Sequence, residues 1–313
     1  MTIVFKVSEN IKEKMIEYYK DVRREKTPPY AIFQAVSADT IVTLYESGKA
    51  MFQGISADVD ANIWVDIEKK INNRVIDISE GSKKKEQYKE ELNYFYSLST
   101  IGSDEVGTGD YFGPIVVTAA YVDKTKIDFI NELGVKDSKK LTDDKIMKIA
   151  PSLIKEIPYV TLTLNNTDYN QYQKKGYNMN KIKAILHNKV LYSITHKEEE
   201  YPYDKIIVDQ FVYPRKYFEH ILEATEKVTN ITFTTKAESK CASVAAASII
   251  SRYIFLLKMD ELSKSLGIPV PKGANDIVDQ VGVQIVEQYG FDKLNEIAKL
   301  NFKNTDKIKE ALR

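Results

Sequence analysis

A glycine-containing loop between two apolar segments constrains the fold of this chain more than any other feature. The segments are residues 98–104 and 115–122, and the loop carries glycines at 107, 109 and 113. Short apolar runs bounded by glycine and proline predict β-strands. Asp104 and Glu105 stand where the first strand meets the loop. The pattern therefore predicts two strands with a pair of carboxylates at their junction.

Strands and helices alternate after this loop. The periodicity predicts further strands at 159–164, 205–209 and 231–235, and helices at 180–196, 217–227 and 240–262. Another helical stretch follows residue 141 and is predicted to be interrupted near Pro151. Strands that first follow one another and later alternate with helices favour a mixed five-stranded sheet with flanking helices, which is an α/β domain.

A small α+β unit is predicted before this domain. Its predicted strands are 3–7, 30–35, 40–45 and 49–53, and its helices are 9–23 and 57–75, with Ser8 and Ser56 as N-caps. The solvent face of its sheet is expected to carry four polar side chains. They are Gln34, Ser37, Thr43 and Gln53.

A polar, charged segment at 79–87 has the composition of a linker and predicts two domains, 1–85 and 86–313. Its lysine run is read either as a solvated connector or as a phosphate contact. The chain of 313 residues has a formal net charge of +0, so bulk charge does not indicate a nucleic-acid partner. One cysteine excludes an intramolecular disulfide and fits a reducing cytosol. No signal peptide or membrane span is expected, so the predicted location is cytoplasmic.

Four acids are candidate ligands for a hard divalent cation, which prefers oxygen donors. They are Asp104, Glu105, Asp209 and Glu238. Asp209 ends an apolar strand, and Glu238 precedes an alanine-rich helix. Taken singly, Asp209 also fits a turn or cap residue, and Glu238 fits a charge at a helix N-terminus. Carboxylates crowded together repel one another unless a cation neutralises them, so convergence of all four would indicate a metal site.

Three motifs resemble those of the type 2 ribonuclease H family, which contains ribonucleases HII and HIII. They are residues 103–114, 136–141 and 236–252. Three features favour ribonuclease HIII. Thr108 stands where ribonuclease HII usually has a basic residue, and Glu238 stands where it usually has aspartate. The N-terminal domain resembles the TATA-box-binding-protein-like substrate domain of ribonuclease HIII.

The resemblance implies a ribonuclease H-like fold and endonucleolytic cleavage of RNA paired with DNA, leaving 3′-hydroxyl and 5′-phosphate ends. The four acids match the family's catalytic and metal-binding residues, with Mg²⁺ as the expected cofactor and Mn²⁺ as a substitute. Gly107, Thr108 and Gly109 match the loop that reads ribose 2′-hydroxyls. Ser138 and Lys139 match a phosphate-contacting motif, although a helix-capping loop is the alternative. The expected partner is an RNA/DNA hybrid, with neither membrane nor obligate protein partner.

Two other functions are alternatives. One is incision at a single ribonucleotide in DNA, as in ribonuclease HII, which Thr108 and Glu238 disfavour. The other is a non-catalytic hybrid-binding protein with degenerate acids, which the presence of all four acids disfavours.

Several other side chains have simpler interpretations. Cys241 is interpreted as a buried structural residue, with a reactive thiol as the alternative. His187 is interpreted as a helix-surface or packing residue, and Trp64 as a core or sheet residue. Three aromatic side chains are interpreted either as core residues or as stacking partners for nucleic acid. They are Tyr30, Phe33 and Phe52.

Overall fold

The computed structural model describes residues 2–37, 40–54, 56–76, 94–135, 141–197 and 201–313. These residues belong to two compact units, Met1–Glu90 and Glu91–Arg313. The predicted linker at 79–87 and the predicted boundary between residues 85 and 86 lie outside the described residues, so both stay predictions.

The first unit is a four-stranded antiparallel sheet with two α-helices in its described part. In chain order its elements are β1 (Thr2–Lys6), α1 (Glu9–Tyr18), β2 (Ala31–Ser37), β3 (Thr40–Tyr45), β4 (Lys49–Gly54) and α2 (Ala57–Asn72). The strands lie in the order β1-β4-β3-β2. The predicted small α+β domain is therefore confirmed.

One face of this sheet forms the core of the first unit together with the two helices. Phe33, Phe52 and Trp64 are buried there, and the Trp64 indole donates to the Tyr19 hydroxyl at 3.0 Å. Their interpretation as core residues is confirmed, and the stacking alternative for Phe33 and Phe52 is wrong because their rings are covered. Tyr30, by contrast, is 80% exposed.

Both helices of the first unit end earlier than predicted. Helix α1 stops at Tyr18 and a 3-10 turn, Lys20–Val22, follows it. Arg23 then forms an antiparallel bridge with Ala35, which draws the chain into extended structure beside β2. Helix α2 ends at Asn72 because Asn73 adopts a left-handed conformation with φ of 49°. Asparagine tolerates this conformation better than most residues, so it ends helices well.

Three polar side chains of the first unit differ from expectation. Neither Ser8 nor Ser56 makes a side-chain N-cap hydrogen bond. The Ser8 hydroxyl instead donates to the buried carboxylate of Glu68 at 2.9 Å, across the unit. Thr43 was expected on the solvent face but is buried, and its hydroxyl accepts from the Gln34 amide at 3.1 Å.

The second unit contains the predicted mixed five-stranded sheet. Its strands are β5 (Thr100–Val106), β6 (Ile115–Val122), β7 (Tyr159–Leu164), β8 (Lys205–Asp209) and β9 (Ile231–Thr234). They lie in the order β7-β6-β5-β8-β9. β6 is antiparallel to β5 and β7, whereas β8 is parallel to β5 and β9. The predicted mixed sheet is therefore confirmed, and its arrangement is the ribonuclease H-like one that the family resemblance implies.

Nine α-helices accompany this sheet in the described residues. They are α3 (Ile127–Glu132), α4 (Asp143–Glu156), α5 (Asn166–Lys174), α6 (Met179–Thr195), α7 (Pro214–His220), α8 (Ala242–Leu266), α9 (Asp276–Tyr289), α10 (Lys293–Ile297) and α11 (Lys303–Ala311). One face of the sheet packs against α8 and α4, and the other packs against α6. The sequence pattern predicted α4, α6, α7 and α8 but not the other five.

Two helices differ from their predicted form. Helix α4 continues through Pro151 without interruption. Proline inside a helix costs about 3 kcal/mol, but α4 buries Ile146, Ala150 and Leu153, and burial of such an apolar face offsets that cost. Helix α7 spans Pro214–His220 instead of 217–227. Proline at the first helical position starts this helix early, because its φ is already helical.

Helix α8 is long and apolar enough to span a membrane by length and composition alone, but 61% of its most apolar window is buried inside the protein. It contacts β5, β6 and α4, so it is the central core helix of the second unit. Cys241 precedes it and is fully buried beside Thr100 and Ser243. Its interpretation as a buried structural residue is therefore confirmed.

Candidate active site

Two of the predicted acids lie at the same level on neighbouring strands. β5 and β8 run parallel, and the last pair in their register is Ser103 opposite Val208. Asp104 and Asp209 are the next residue on each strand. Because side chains alternate between the two faces of a sheet, residues that lie level on paired strands point to the same face. The side chains of Asp104 and Asp209 therefore point to the same face. The parallel pairing therefore brings together two acids that are distant in sequence.

Asp104 sits in a negatively charged and poorly solvated position. Its Oδ1 accepts from the Glu105 main-chain N–H at 2.9 Å, and its carbonyl accepts from the Ser251 hydroxyl of α8 at 3.1 Å. Burial, followed by the charges of Glu105 and Asp209, raises the pKa of Asp104 to about 8. A bound cation would remove this unfavourable electrostatic energy.

Glu105 is held by two side chains of helix α6. The Lys183 ammonium contacts Oε1, and the His187 Nε2 lies 2.9 Å from Oε2. Burial opposes the charge of Glu105, but the hydrogen bond and charge of His187, together with those of Lys183, outweigh it and lower its pKa. Glu105 therefore stays ionised next to Asp104.

His187 is itself fixed by its surroundings. Its side chain has no exposed surface, the Ser103 hydroxyl lies 2.7 Å from its Nδ1, and Phe211 stacks on its ring at 5.4 Å. Since a carboxylate only accepts, His187 donates its Nε2 proton to Glu105. The packing interpretation of His187 is correct but incomplete. Its spacing of four from Lys183 on one helix face was the available signal.

Asp209 and Glu238 belong to adjoining segments. The Asp209 Oδ1 accepts from the Ala237 main-chain N–H at 2.9 Å. Ala237–Ser239 forms a 3-10 turn that begins after Lys236, a residue in the left-handed region with φ of 55°. Glu238 is buried in this turn. Strain in a non-glycine residue often accompanies functional sites.

The acids are brought together only in part. The charges of Glu105 and Asp209 both raise the pKa of Asp104. Asp209 accepts a hydrogen bond from the turn that carries Glu238. In the part of the chain that the structure describes, no three histidine, cysteine, aspartate or glutamate side chains form a group that could hold a metal ion. Convergence of all four acids stays a prediction. Their carboxylate oxygens are nevertheless the donors that Mg²⁺ and Mn²⁺ prefer.

Gly107 and Gly109, in the loop after β5, differ in why the position is occupied by glycine. Gly107 has φ of +89°, and a Cβ there would lie 2.2 Å from the Pro114 carbonyl oxygen, so the fold itself requires glycine. Gly109 is exposed, and a Cβ at this position would meet no heavy atom within 4 Å. Thr108 between them is half-buried. Gly109 therefore offers main chain that a ligand can approach closely, whereas Gly107 is buried and shapes the turn.

The other predicted substrate contacts, Ser138 and Lys139, lie outside the described residues. The helix that follows them is firmly anchored. Asp143 at the start of α4 accepts from the Arg252 guanidinium at 2.7 Å, and Arg252 also donates to the Leu141 carbonyl at 3.0 Å.

Comparison with protein families gives two matches. The model described as ribonuclease HII matches residues 101–305, and a domain of unknown function, DUF3378, matches residues 2–75. The first match covers the sheet, the glycine loop and all four acids.

Curated relatives match nearly the whole chain. A ribonuclease HIII of Bacillus licheniformis is 42% identical over 98% of this chain and 97% of its own length. A ribonuclease HIII of Geobacillus kaustophilus is 40% identical over 97% of this chain and 96% of its own length.

Solved structures give the same result. The crystal structure of Bst-RNase HIII in complex with Mn²⁺ aligns with a TM-score of 0.71 at 36% identity, covering 100% of this chain and 99% of the other. Ribonuclease H2 from Pyrococcus horikoshii aligns over 69% of this chain and 99% of its own, with a TM-score of 0.58 at 25% identity. The similarity to ribonuclease HIII therefore extends over the whole chain, whereas the similarity to ribonuclease H2 covers about two thirds of it.

Proposed function

Because this chain belongs to the ribonuclease HIII branch of the ribonuclease HII family, we propose that it cleaves the RNA strand of RNA/DNA hybrids at a site built on Asp104 and Asp209. The chain is a ribonuclease H, an endonuclease that hydrolyses phosphodiester bonds. The observation that best supports this site is the parallel pairing of β5 and β8, which sets the two aspartates side by side next to Glu105.

The enzyme depends on divalent metal, and we assign Mg²⁺ as the ion, with Mn²⁺ as a substitute. The residues that would hold it are Asp104, Glu105, Asp209 and Glu238. Two divalent metal ions bound there would lower the pKa of the attacking water and neutralise charge on the phosphate. The chain's own part is to hold Asp104 and Asp209 at neighbouring ends of β5 and β8 and to keep Glu105 ionised, which Lys183 and His187 do.

The glycine loop is assigned to substrate recognition. The main-chain groups of Gly107, Thr108 and Gly109, of which Gly109 is exposed, are assigned to hydrogen bonding with ribose 2′-hydroxyls, which distinguish RNA from DNA. Ser138 and Lys139 are assigned to the phosphate backbone. The first unit, within residues 1–85, is assigned to hybrid binding, and the face of its sheet opposite the core carries Gln34 and Gln53.

Cleavage is expected to leave 3′-hydroxyl and 5′-phosphate ends, since water attacks the phosphorus in line with the departing 3′ oxygen. We place the enzyme in the cytoplasm, in keeping with its single buried cysteine. No membrane and no obligate protein partner enter this proposal.

The deciding experiment is cleavage of a uniform RNA/DNA duplex with Mg²⁺, with and without EDTA, beside Glu238→Gln. The exposed Glu310→Gln is the matched control for this substitution. Wild type and control are expected to cut the RNA strand only with metal, and Glu238→Gln is expected to be inactive. A wild type that binds the hybrid but does not cut it would favour a non-catalytic hybrid-binding protein.

A second candidate is incision at single ribonucleotides in DNA, because the family model matched by the second unit is described as ribonuclease HII. A duplex with one ribonucleotide tests it. Efficient metal-dependent cleavage there would support the ribonuclease HII activity, and cleavage restricted to uniform hybrids would support the ribonuclease HIII activity.

A further inference from the structure

A buried lysine lies beneath the loop that follows β5. Lys299 comes just after α10 and has no exposed surface. Its ammonium donates to the main-chain carbonyl of Asp110 at 2.8 Å and to that of Gly113 at 2.6 Å. Both acceptors belong to the second half of the glycine loop, although Lys299 is 186 residues away from Gly113 in sequence.

The same part of the loop is fastened by main-chain hydrogen bonds from two C-terminal segments. The Tyr111 N–H donates to the Gly273 carbonyl at 2.8 Å, and the Lys299 N–H donates to the Tyr111 carbonyl at 2.9 Å. The Gly113 N–H donates to the Ile297 carbonyl at 2.9 Å. The Gly273 N–H donates to the Asp110 carboxylate at 2.6 Å. Residues 110–113 are therefore held by Gly273 and by residues 297–299, whereas the space around Gly109 is free.

Burying an ammonium group is unfavourable, because it loses its hydration. The burial lowers the pKa of Lys299 to about 7, and the charge of Asp110 partly opposes this. An apolar side chain of the same length would fill this space without that cost. What only the lysine provides is an ammonium group with three N–H donors, and two hydrogen bonds from it reach loop carbonyls.

We propose that Lys299 is a positioning residue for substrate recognition: by binding the carbonyls of Asp110 and Gly113 it holds residues 107–109 in the conformation that contacts the RNA strand. This rests on the proposed function, since it assumes that the glycine loop reads the hybrid. Lys299 acts through the loop and does not touch the substrate or the four acids.

The test is Lys299→Met, which keeps most of the length of the side chain and removes the ammonium group with its two hydrogen bonds to the loop. The exposed Lys303→Met is the matched control. With a uniform hybrid and Mg²⁺, Lys299→Met is expected to raise KM about tenfold, the effect of roughly one lost charged hydrogen bond. Its kcat is expected to stay within about twofold of wild type, because the acids are untouched. A general loss of structure would instead lower kcat, because a smaller fraction of the enzyme molecules would be folded and active.

Unchanged KM in a folded Lys299→Met would overturn the proposal, and so would a fall in kcat alone. Absence of cleavage by the wild type would instead sink the proposed function, so the two failures are distinguishable.

Hydrogen exchange of the wild type covers the case in which Lys299→Met does not fold. The Tyr111 and Gly113 amides are expected to exchange slowly in the free enzyme, with little further change when hybrid binds. Fast exchange that only the hybrid slows would mean that substrate orders the loop, which contradicts positioning by Lys299.

Discussion

Glu105 and His187 are joined by a 2.9 Å hydrogen bond between Oε2 and Nε2, although 82 residues separate them in sequence. The bond links the end of strand β5 to the inner face of helix α6. It gives the carboxylate a fixed direction, and the Ser103 hydroxyl fixes the imidazole from its other side. Glu105 is therefore oriented by the protein itself.

Replacing His187 by alanine is expected to weaken metal binding by about 10–100-fold, the usual effect of losing a residue that orients a metal ligand. Mn²⁺ affinity measured by electron paramagnetic resonance, together with the Mg²⁺ dependence of cleavage, checks this. The exposed His196→Ala, at the end of the same helix, is the control. Identical metal titrations for His187→Ala and wild type would contradict an orienting role.

Asp104→Asn is expected to abolish cleavage and retain hybrid binding, because the substitution removes a charged ligand but keeps the shape of the side chain. Cleavage assays and fluorescence anisotropy with a labelled hybrid measure the two properties separately. The exposed Asp306→Asn serves as the control. Parallel loss of binding and cleavage would assign Asp104 a mainly structural role.

Alanine substitutions at Gly107 and at Gly109 are expected to have different effects, the first on stability and the second on hybrid binding. Gly107→Ala forces a Cβ against the Pro114 carbonyl at a positive φ, so it is expected to destabilise the protein by about 1–3 kcal/mol. Gly109→Ala has free space and is expected to leave the melting temperature unchanged while weakening hybrid binding. Thermal unfolding and anisotropy check both. Wild-type affinity in Gly109→Ala would remove this residue from the substrate contact.

Glu68→Gln is expected to destabilise the first unit by about 1–3 kcal/mol at neutral pH, since a buried carboxylate loses strong hydrogen bonds. Burial raises the pKa of Glu68, but hydrogen bonds from Ser8 and Asn72 and the charge of Arg74 outweigh this and lower it below 4.5. Its stabilisation is therefore complete above pH 4.5 and is lost as the pH falls through the lower folded-state pKa.

Denaturation followed by the fluorescence of Trp64, the chain's one tryptophan, measures this in the first unit. The difference between Glu68→Gln and wild type is expected to shrink below pH 4.5. A difference that stays constant from about pH 7 to about pH 3 would show that the charge of Glu68 does not contribute.

Removal of residues 1–85 is expected to raise KM for the hybrid more than it lowers kcat, because the four acids all lie in the second unit. Steady-state kinetics of the truncated and full chains give both constants. An unchanged KM would exclude a binding role for the first unit.

The sequence alone determined the strands and the motifs. The strand bounds 115–122, 159–164 and 205–209 were predicted as the structure has them, because these runs are short, apolar and flanked by turn residues. The loop motif and the acids identified the family for the same reason, since their information is local and continuous along the chain. Helix ends were predicted less well, because Arg23 and Asn73 end or redirect helices through contacts and backbone conformations that periodicity does not encode.

Tertiary structure decided which side chains support the site. Lys183 and His187 reach Glu105, Ser8 reaches Glu68, and Lys299 reaches the glycine loop only once distant segments pack. A lysine or histidine on a helix has the same local signature whether it faces water or a buried carboxylate. Its role is set by the neighbours that folding brings within hydrogen-bonding distance, and those neighbours are distant in the sequence.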